Sequence, residues 1–262
     1  MATLKLRSFY LRDQVLNQIF DLANGAFREF GASLFAINTY PLGPLLHLRQ
    51  KKAVPHLDLG LNPRPILLVH GLIHNSSAFV TLSREMKAQG WENVFSLNYK
   101  TRHGSLTAMV QEVSERVEKI CAETHCEQVD IIAHSLGGIV SRYYMSLGEG
   151  RGRVKNLVTL GTPHCGTNLS FLLRGFSLGA LDVDLKINSY LINLLNKTPL
   201  PRGSTLTSIF AKYDWTVWPR ENCLVKGLPR QAFHNIEIND TGHMGLLYSG
   251  EVAELAMKAL LA

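Results

Sequence analysis

The chain has 262 residues, of which 46% are hydrophobic and 18% charged. This is ordinary globular usage; it excludes a disordered, collagen-like or coiled-coil protein and leaves room for one large domain or two small ones. The net charge of +6 permits an anionic partner without requiring one.

Most of that charge lies at the start. Residues 1–64 carry eight Lys/Arg against four acids, and the remaining residues 19 against 17. A solvated basic face accounts for this, and an anionic membrane surface is the sharper reading. No nucleic-acid-binding motif accompanies the charge, so no nucleic-acid partner is expected. The opening MATLKLRSFYLRDQVLNQIF is interrupted by charges and does not read as a secretory signal, which favours a cytoplasmic protein, with membrane association left open. Over residues 9–37, Leu16, Phe20, Ala23, Phe27, Phe30 and Leu34 recur at helical spacing. The spacing predicts one or two amphipathic helices, with Gly25 and Gly31 as candidate breaks. Phe30 to Leu48 is free of Asp, Glu, Lys and Arg, long enough to span a bilayer, but its second half (Asn38, Thr39, Tyr40, Pro41, Gly43, Pro44) reads as a turn. Packing on the protein's own body is the preferred reading. Residues 1–64 are thus expected to be a helical extension.

From Pro65 the pattern changes. Ile66–His70, Asn93–Asn98, Val129–Ala133, Val154–Leu160, Thr205–Ala211 and Asn235–Asn239 are short, β-branched or aromatic runs bounded by turn signals. Helical stretches over 78–89, 105–123, 136–147 and 251–261 separate or follow them. Such alternation predicts one domain, 65–262, with a mostly parallel sheet covered on both faces. The span from Leu160 to Thr205 is too long for a structureless loop, so an inserted helical piece is expected at 166–202, forming a cap or lid over Ser135 whose apolar side chains would favour fatty-acyl groups; packing on the sheet is the bland alternative. Cys121, Cys126, Cys165 and Cys223 form no CxxC or zinc-ligand spacing and read as free thiols.

The chemistry centres on Ala133-His134-Ser135-Leu136-Gly137-Gly138. It follows the apolar run VDIIA and opens the helix LGGIVSRYYMSL. A serine at a sharp strand-to-helix turn is lifted clear of the sheet, and small residues on either side, Ala133 and Gly137, let neighbouring backbones pass. The helix N-terminus points unpaired N–H groups at the place where an oxyanion would develop. The bland alternative is an N-cap serine.

Over residues 65–262 the sequence resembles lipases and esterases of the α/β-hydrolase family. AHSLGG is similar to their nucleophile elbow, with alanine in place of the commoner first glycine; His70-Gly71 resembles the oxyanion-loop signature, and LVTLGTPHCGT at 157–167 resembles the strand and turn after the elbow helix. Residues 1–64 have no counterpart. The resemblance implies a chain order of serine, acid, histidine.

After Ser135 the histidines are His164, His234 and His243. His164 precedes any plausible acid, and His234 would enter the sheet from its far end. His243 follows the last strand run, at the carboxyl end where open α/β sheets bind ligands, and is the expected base. Asp214 follows the run 205–211, and YDWTVWP resembles the family's acid-bearing loop; Asp240, Asp182 and Asp184 are its rivals. The backbone N–H of Leu136, and by resemblance that of Leu72, would form the oxyanion hole. No phosphate loop or dinucleotide fingerprint is present, so no cofactor and no metal are expected. The expected activity is hydrolysis of fatty-acyl esters, small-molecule or lipid, through an acyl-enzyme on Ser135. An acyltransferase using the same residues and a non-catalytic binding protein are the alternatives. An epoxide hydrolase or dehalogenase would place an aspartate at 135.

Overall fold

The computed structural model describes residues 2–44, 64–101, 105–168, 180–228 and 233–261, with side chains in the first helix from Asp21 onward. Residues 45–63, residues 169–179 of the insertion, and the side chains of Leu16 and Phe20 lie outside the described residues.

Among the described residues six strands form one sheet in the order β2-β1-β3-β4-β5-β6: β1 (Ile66–Val69), β2 (Val94–Leu97), β3 (Val129–His134), β4 (Val154–Leu160), β5 (Thr205–Ala211) and β6 (Phe233–Ile238). Every pairing is parallel. Parallel neighbours need crossovers, and these are supplied by α2 (Val80–Ala88), α3 (Leu106–Thr124), α4 (Leu136–Ser146), the short α5 (Ala180–Asp184) and α6 (Tyr190–Lys197); α7 (Gly250–Leu261) closes the chain. The pleat sorts side chains between two cores. Leu67, Val69, Ile131, Ala133 and Leu157 face α3, α4 and α6. Ile66, Leu68, Ile132, Val158 and Ile209 face α2 and α7. Burial on both faces explains why the runs read as continuously apolar rather than alternating. This is the α/β-hydrolase fold. The strand order reverses beside β1, so the crevice at the carboxyl ends of β1 and β3 is where a ligand is expected to sit.

β6 begins at Phe233, so His234 lies within the last strand, exposed on the sheet edge, rather than ahead of it. The described part of the insertion packs on the body: Leu181, Leu185, Leu191, Ile192 and Leu195 are buried in the same core as α4. Arg142 of α4, fully buried, donates to the carbonyl of Leu195 at 2.9 Å and to Asn196 Oδ1 at 3.0 Å, pinning α6 to α4. All four cysteines are free; Cys121 and Cys223 are buried.

Among the described residues, the N-terminal segment opens with a long helix, α1 (Ala2–Thr39), and neither Gly25 nor Gly31 breaks it. Its apolar stripe points the unexpected way. Gly25, Ala32 and Ala36 are buried and Glu29 is half-buried, whereas Phe27, Phe30, Leu34 and Ile37 are exposed. At about 100° per residue the two stripes lie on opposite faces, about 150° apart. The small stripe turns inward because only small side chains allow close approach: a Cβ on Gly25 would stand 2.6 Å from the Tyr213 ring. Phe35 packs edge-on to Tyr248 at 5.0 Å between ring centres. Beyond Thr39 the chain turns through Tyr40–Leu42, and Gly43 and Tyr40 are tied to the turn after β1: the Gly43 carbonyl accepts from Ser76 Oγ at 2.9 Å, and the Tyr40 carbonyl from Asn75 Nδ2 at 2.9 Å. Among the described residues no helix is long and apolar enough to cross a membrane.

Candidate active site

Ser135 stands between β3 and α4 with φ 53° and ψ −123°. A side chain in that region costs about 1–3 kcal/mol, so the corner is held by its surroundings. The Ser135 N–H donates to the Leu160 carbonyl at 2.9 Å, and its carbonyl accepts from Thr162 Oγ1 at 2.9 Å. Gly137 is required by close approach: a Cβ there would collide with the Val69 carbonyl and lie 2.5 Å from that of His70. A Cβ on Gly71 would come within 2.9 Å of Ser135 Cβ. Ser135 occupies the N-cap position of α4, yet its hydroxyl makes no cap hydrogen bond. The N-cap reading therefore finds no support. Leu136 is the first residue of α4, where amide N–H groups lack helical acceptors. Leu72 directly follows Gly71, in a loop anchored by Tyr99, whose hydroxyl donates to the His70 carbonyl at 2.6 Å.

Asp214 and His243 meet. Asp214 follows β5, and its Oδ1 accepts from the N–H groups of Thr216 at 2.8 Å and Val217 at 2.7 Å. This turn is the physical content of the D-x-x-V spacing. It satisfies one carboxylate oxygen with backbone and leaves Oδ2 to accept from His243 Nδ1 at 2.7 Å. Both side chains are almost wholly buried. The His243 carbonyl accepts from His134 Nε2 at 3.2 Å, and the two rings lie 4.7 Å apart. His134 immediately precedes Ser135, so the histidine turn lies against the elbow. With Nδ1–H given to Asp214, Nε2 of His243 is the free acceptor. Burial alone would lower the His243 pKa; the charge and hydrogen bond of Asp214, with a smaller push from Glu29, raise it above the ordinary imidazole value. His134, buried and beside His243, is held well below that value and is neutral.

The rival residues lie elsewhere. His164 is buried beside Arg142, which donates to its Nδ1 at 3.3 Å; its Nε2–H then donates to Thr159 Oγ1 at 2.9 Å. That is a structural role. Asp240 pairs with Arg28 on the surface. Asp182 pairs with Lys186 at 3.5 Å on the insertion, where Asp184 also lies.

One contact to the histidine turn carries little signal in the sequence. Glu29 of α1 accepts from the N–H groups of Met244 at 2.8 Å and Gly245 at 2.9 Å, directly after His243. Its only sequence signal is an acid on the small-residue face of α1. Also beside the histidine turn, a groove of about 480 Å³ runs between α1 and the loop after β1, lined by Ala36, Ile37, Tyr40, Leu72, Ile73 and Met244 among others.

The model of the palmitoyl protein thioesterase family matches residues 65–213, more than half of the chain. Among solved structures, Aspergillus fumigatus lipase B superposes with a TM-score of 0.60 at 18% identity, covering 76% of this chain and 52% of that one, so the chain spans about half the length of that lipase. A mature Bacillus licheniformis lipase gives 0.58 at 15% identity, covering 75% and 91%. A monoacylglycerol lipase of Paleococcus ferrophilus gives 0.56 at 13% identity, covering 76% and 94%. At such identities the likeness speaks for the shared fold. With that model matched over more than half of its length, the chain belongs to the palmitoyl protein thioesterase family.

Proposed function

We propose that the protein is a serine hydrolase that cleaves fatty-acyl esters through an acyl-enzyme on Ser135, with His243 as general base, Asp214 as its orienting acid, and the N–H groups of Leu72 and Leu136 as oxyanion donors. The observation that carries this reading is the buried Asp214–His243 hydrogen bond at 2.7 Å, set against the positive-φ corner of Ser135. His243 Nε2 takes the serine proton as Oγ attacks the acyl carbonyl. The carbonyl oxygen becomes an oxyanion facing the two amides. Collapse expels the alcohol, protonated by His243; water then repeats the sequence and frees the acid. Each oxyanion donor is worth about 3–4 kcal/mol, or about 10²–10³ in rate.

The apolar groove beside Leu72 and Met244 supports a hydrocarbon acyl chain as the bound group. The family match favours acyl thioesters as a second substrate class, with a thiol leaving in place of the alcohol. Fluorophosphonate labelling of wild type and Ser135→Ala, followed by rates on p-nitrophenyl esters and acyl thioesters of increasing chain length, tests both parts. Ser135→Ala labelling as readily as wild type would overturn the nucleophile. A strong preference for acetyl over octanoyl would overturn the acyl groove.

The exposed stripe of Phe27, Phe30, Leu34 and Ile37, on a segment of net positive charge, supports peripheral contact of α1 with an anionic lipid surface. The exposed Trp215 and Trp218, on the loop that carries Asp214, suit the same interface.

A further inference from the structure

The turn that carries the candidate base is held from outside the segment matched to the family. The Met244 and Gly245 amides converge on Glu29, one on each carboxylate oxygen, at 2.8 and 2.9 Å. Against the same carboxylate, Gly242 leaves no room for a side chain: a Cβ there would stand 2.7 Å from Glu29 Oε2. The His243 carbonyl is taken by His134, so the turn is gripped from α1 and from the end of β3 together. α1 is itself seated on both loops of the site, by Gly25 against the Tyr213 ring next to Asp214 and by Arg28 paired with Asp240. A half-buried carboxylate in this setting has a structural demand to meet, since burial raises its pKa while the two amides and the nearby His243 lower it. A surface glutamate would have no such company.

We propose that Glu29 is a positioning residue for the reaction: through the Met244 and Gly245 amides it fixes the turn that aims His243 at Ser135. The inference rests on the reading of His243 as general base. The charged and titratable groups facing His243 are then Asp214 from the loop after β5, Glu29 from α1, and neutral His134 from the end of β3; the Arg28–Asp240 pair lies at the edge of the same contact. Glu29 therefore does two separable things. It holds geometry, which any acceptor of its shape can do in part, and it supplies a negative charge, which only the carboxylate can.

The test is the pH dependence of kcat and KM for p-nitrophenyl butyrate with the full chain as wild type, Glu29→Gln, Glu29→Ala and His243→Ala. Releasing the turn by about 1 Å should cost Glu29→Ala about 10²-fold in kcat with KM little changed. Glu29→Gln should recover part of that loss, because its amide oxygen can still accept from one of the two amides, while the acid limb of its profile moves to lower pH, because a negative charge beside His243 is gone. If Glu29→Ala does not fold, Glu29→Gln decides alone. A wild-type acid limb in Glu29→Gln, whatever its kcat, overturns the inference. If His243→Ala retains activity, the base reading fails and this inference with it. If His243→Ala is inactive while the folded Glu29 variants match wild type, only the positioning role is lost.

Discussion

His134 Nε2 donates to the carbonyl of His243 at 3.2 Å, which ties the residue before the elbow serine to the residue proposed as its base. The bond is between a side chain at the end of β3 and the backbone of a turn more than a hundred positions later. It makes the relative placement of elbow and base a property of the core. His134 can do this because it is buried and neutral: its pKa lies well below the ordinary value, so its Nε2–H is available as a donor without a charge to solvate.

Removing the acid tests the Asp214–His243 pair. Asp214→Asn should keep the turn, since an amide oxygen can still accept from Thr216 and Val217, but leave His243 in the wrong tautomer. A loss of about 10⁴-fold in kcat is expected, with the melting temperature little changed. Steady-state rates together with a thermal melt separate this from unfolding.

The activity should fall on the acid side at a pH above the ordinary histidine value of about 6.5. His243 must be neutral to accept a proton, and its pKa is raised by Asp214 and Glu29 against the pull of burial. Below that pKa, kcat/KM should decline about tenfold per pH unit. A profile that stays flat to pH 5 would remove His243 from the role of base.

Gly137→Ala should destabilise the fold by about 3 kcal/mol or more, because the new methyl meets the carbonyl oxygens of Val69 and His70, which are backbone and cannot yield. A urea midpoint shifted without change in slope would show it. Activity should fall with it, since β1 would be driven away from the elbow.

The buried Asp130 predicts a pH-dependent stability. It binds Arg64 Nε at 3.1 Å and accepts from the Asn156 N–H at 3.1 Å, yet burial pushes its pKa up to about 6. The folded state therefore keeps this proton up to about pH 6, while the unfolded chain releases it near 4. The resulting stabilisation is fully present below about pH 4 and is lost as the pH rises through 6. Urea midpoints of wild type and Asp130→Asn, compared at pH 7 and pH 5, should show wild type gaining on the variant at the lower pH by on the order of 1 kcal/mol.

Lipid contact is tested away from the site. Phe30 and Leu34 are exposed and line neither the groove nor the histidine turn. Phe30→Ser with Leu34→Ser should weaken co-sedimentation with anionic vesicles and leave hydrolysis of a soluble ester unchanged. Binding equal to wild type would remove the stripe from that role.

Much of this architecture was legible from residue order. The six strand runs and the helices between them came from local patterns, because strands buried on both faces must be apolar throughout. β6 starts at Phe233, ahead of the run expected from Asn235, because an edge strand has little burial to mark it: Asn235 and Glu237 are exposed within it. The corner at Ser135 is local, because strand, tight turn and helix are consecutive in sequence. Asp214 and His243 meet because each follows a strand at the carboxyl edge, where parallel topology brings them together.

What α1 does could not be read this way. Hydropathy marks Phe27, Phe30 and Leu34 as one face of the helix, but it does not say which face is covered. That was decided by fit: Gly25 leaves no room for a side chain against the Tyr213 ring, Glu29 takes the amides of the histidine turn, and Ala32 and Ala36 are buried on the same face. Local chemistry, then, was written in neighbouring residues, whereas the partner of a helix face lies some two hundred residues away. Only close packing, which penalises a misplaced methyl as strongly as it rewards a fitted one, selects that partner.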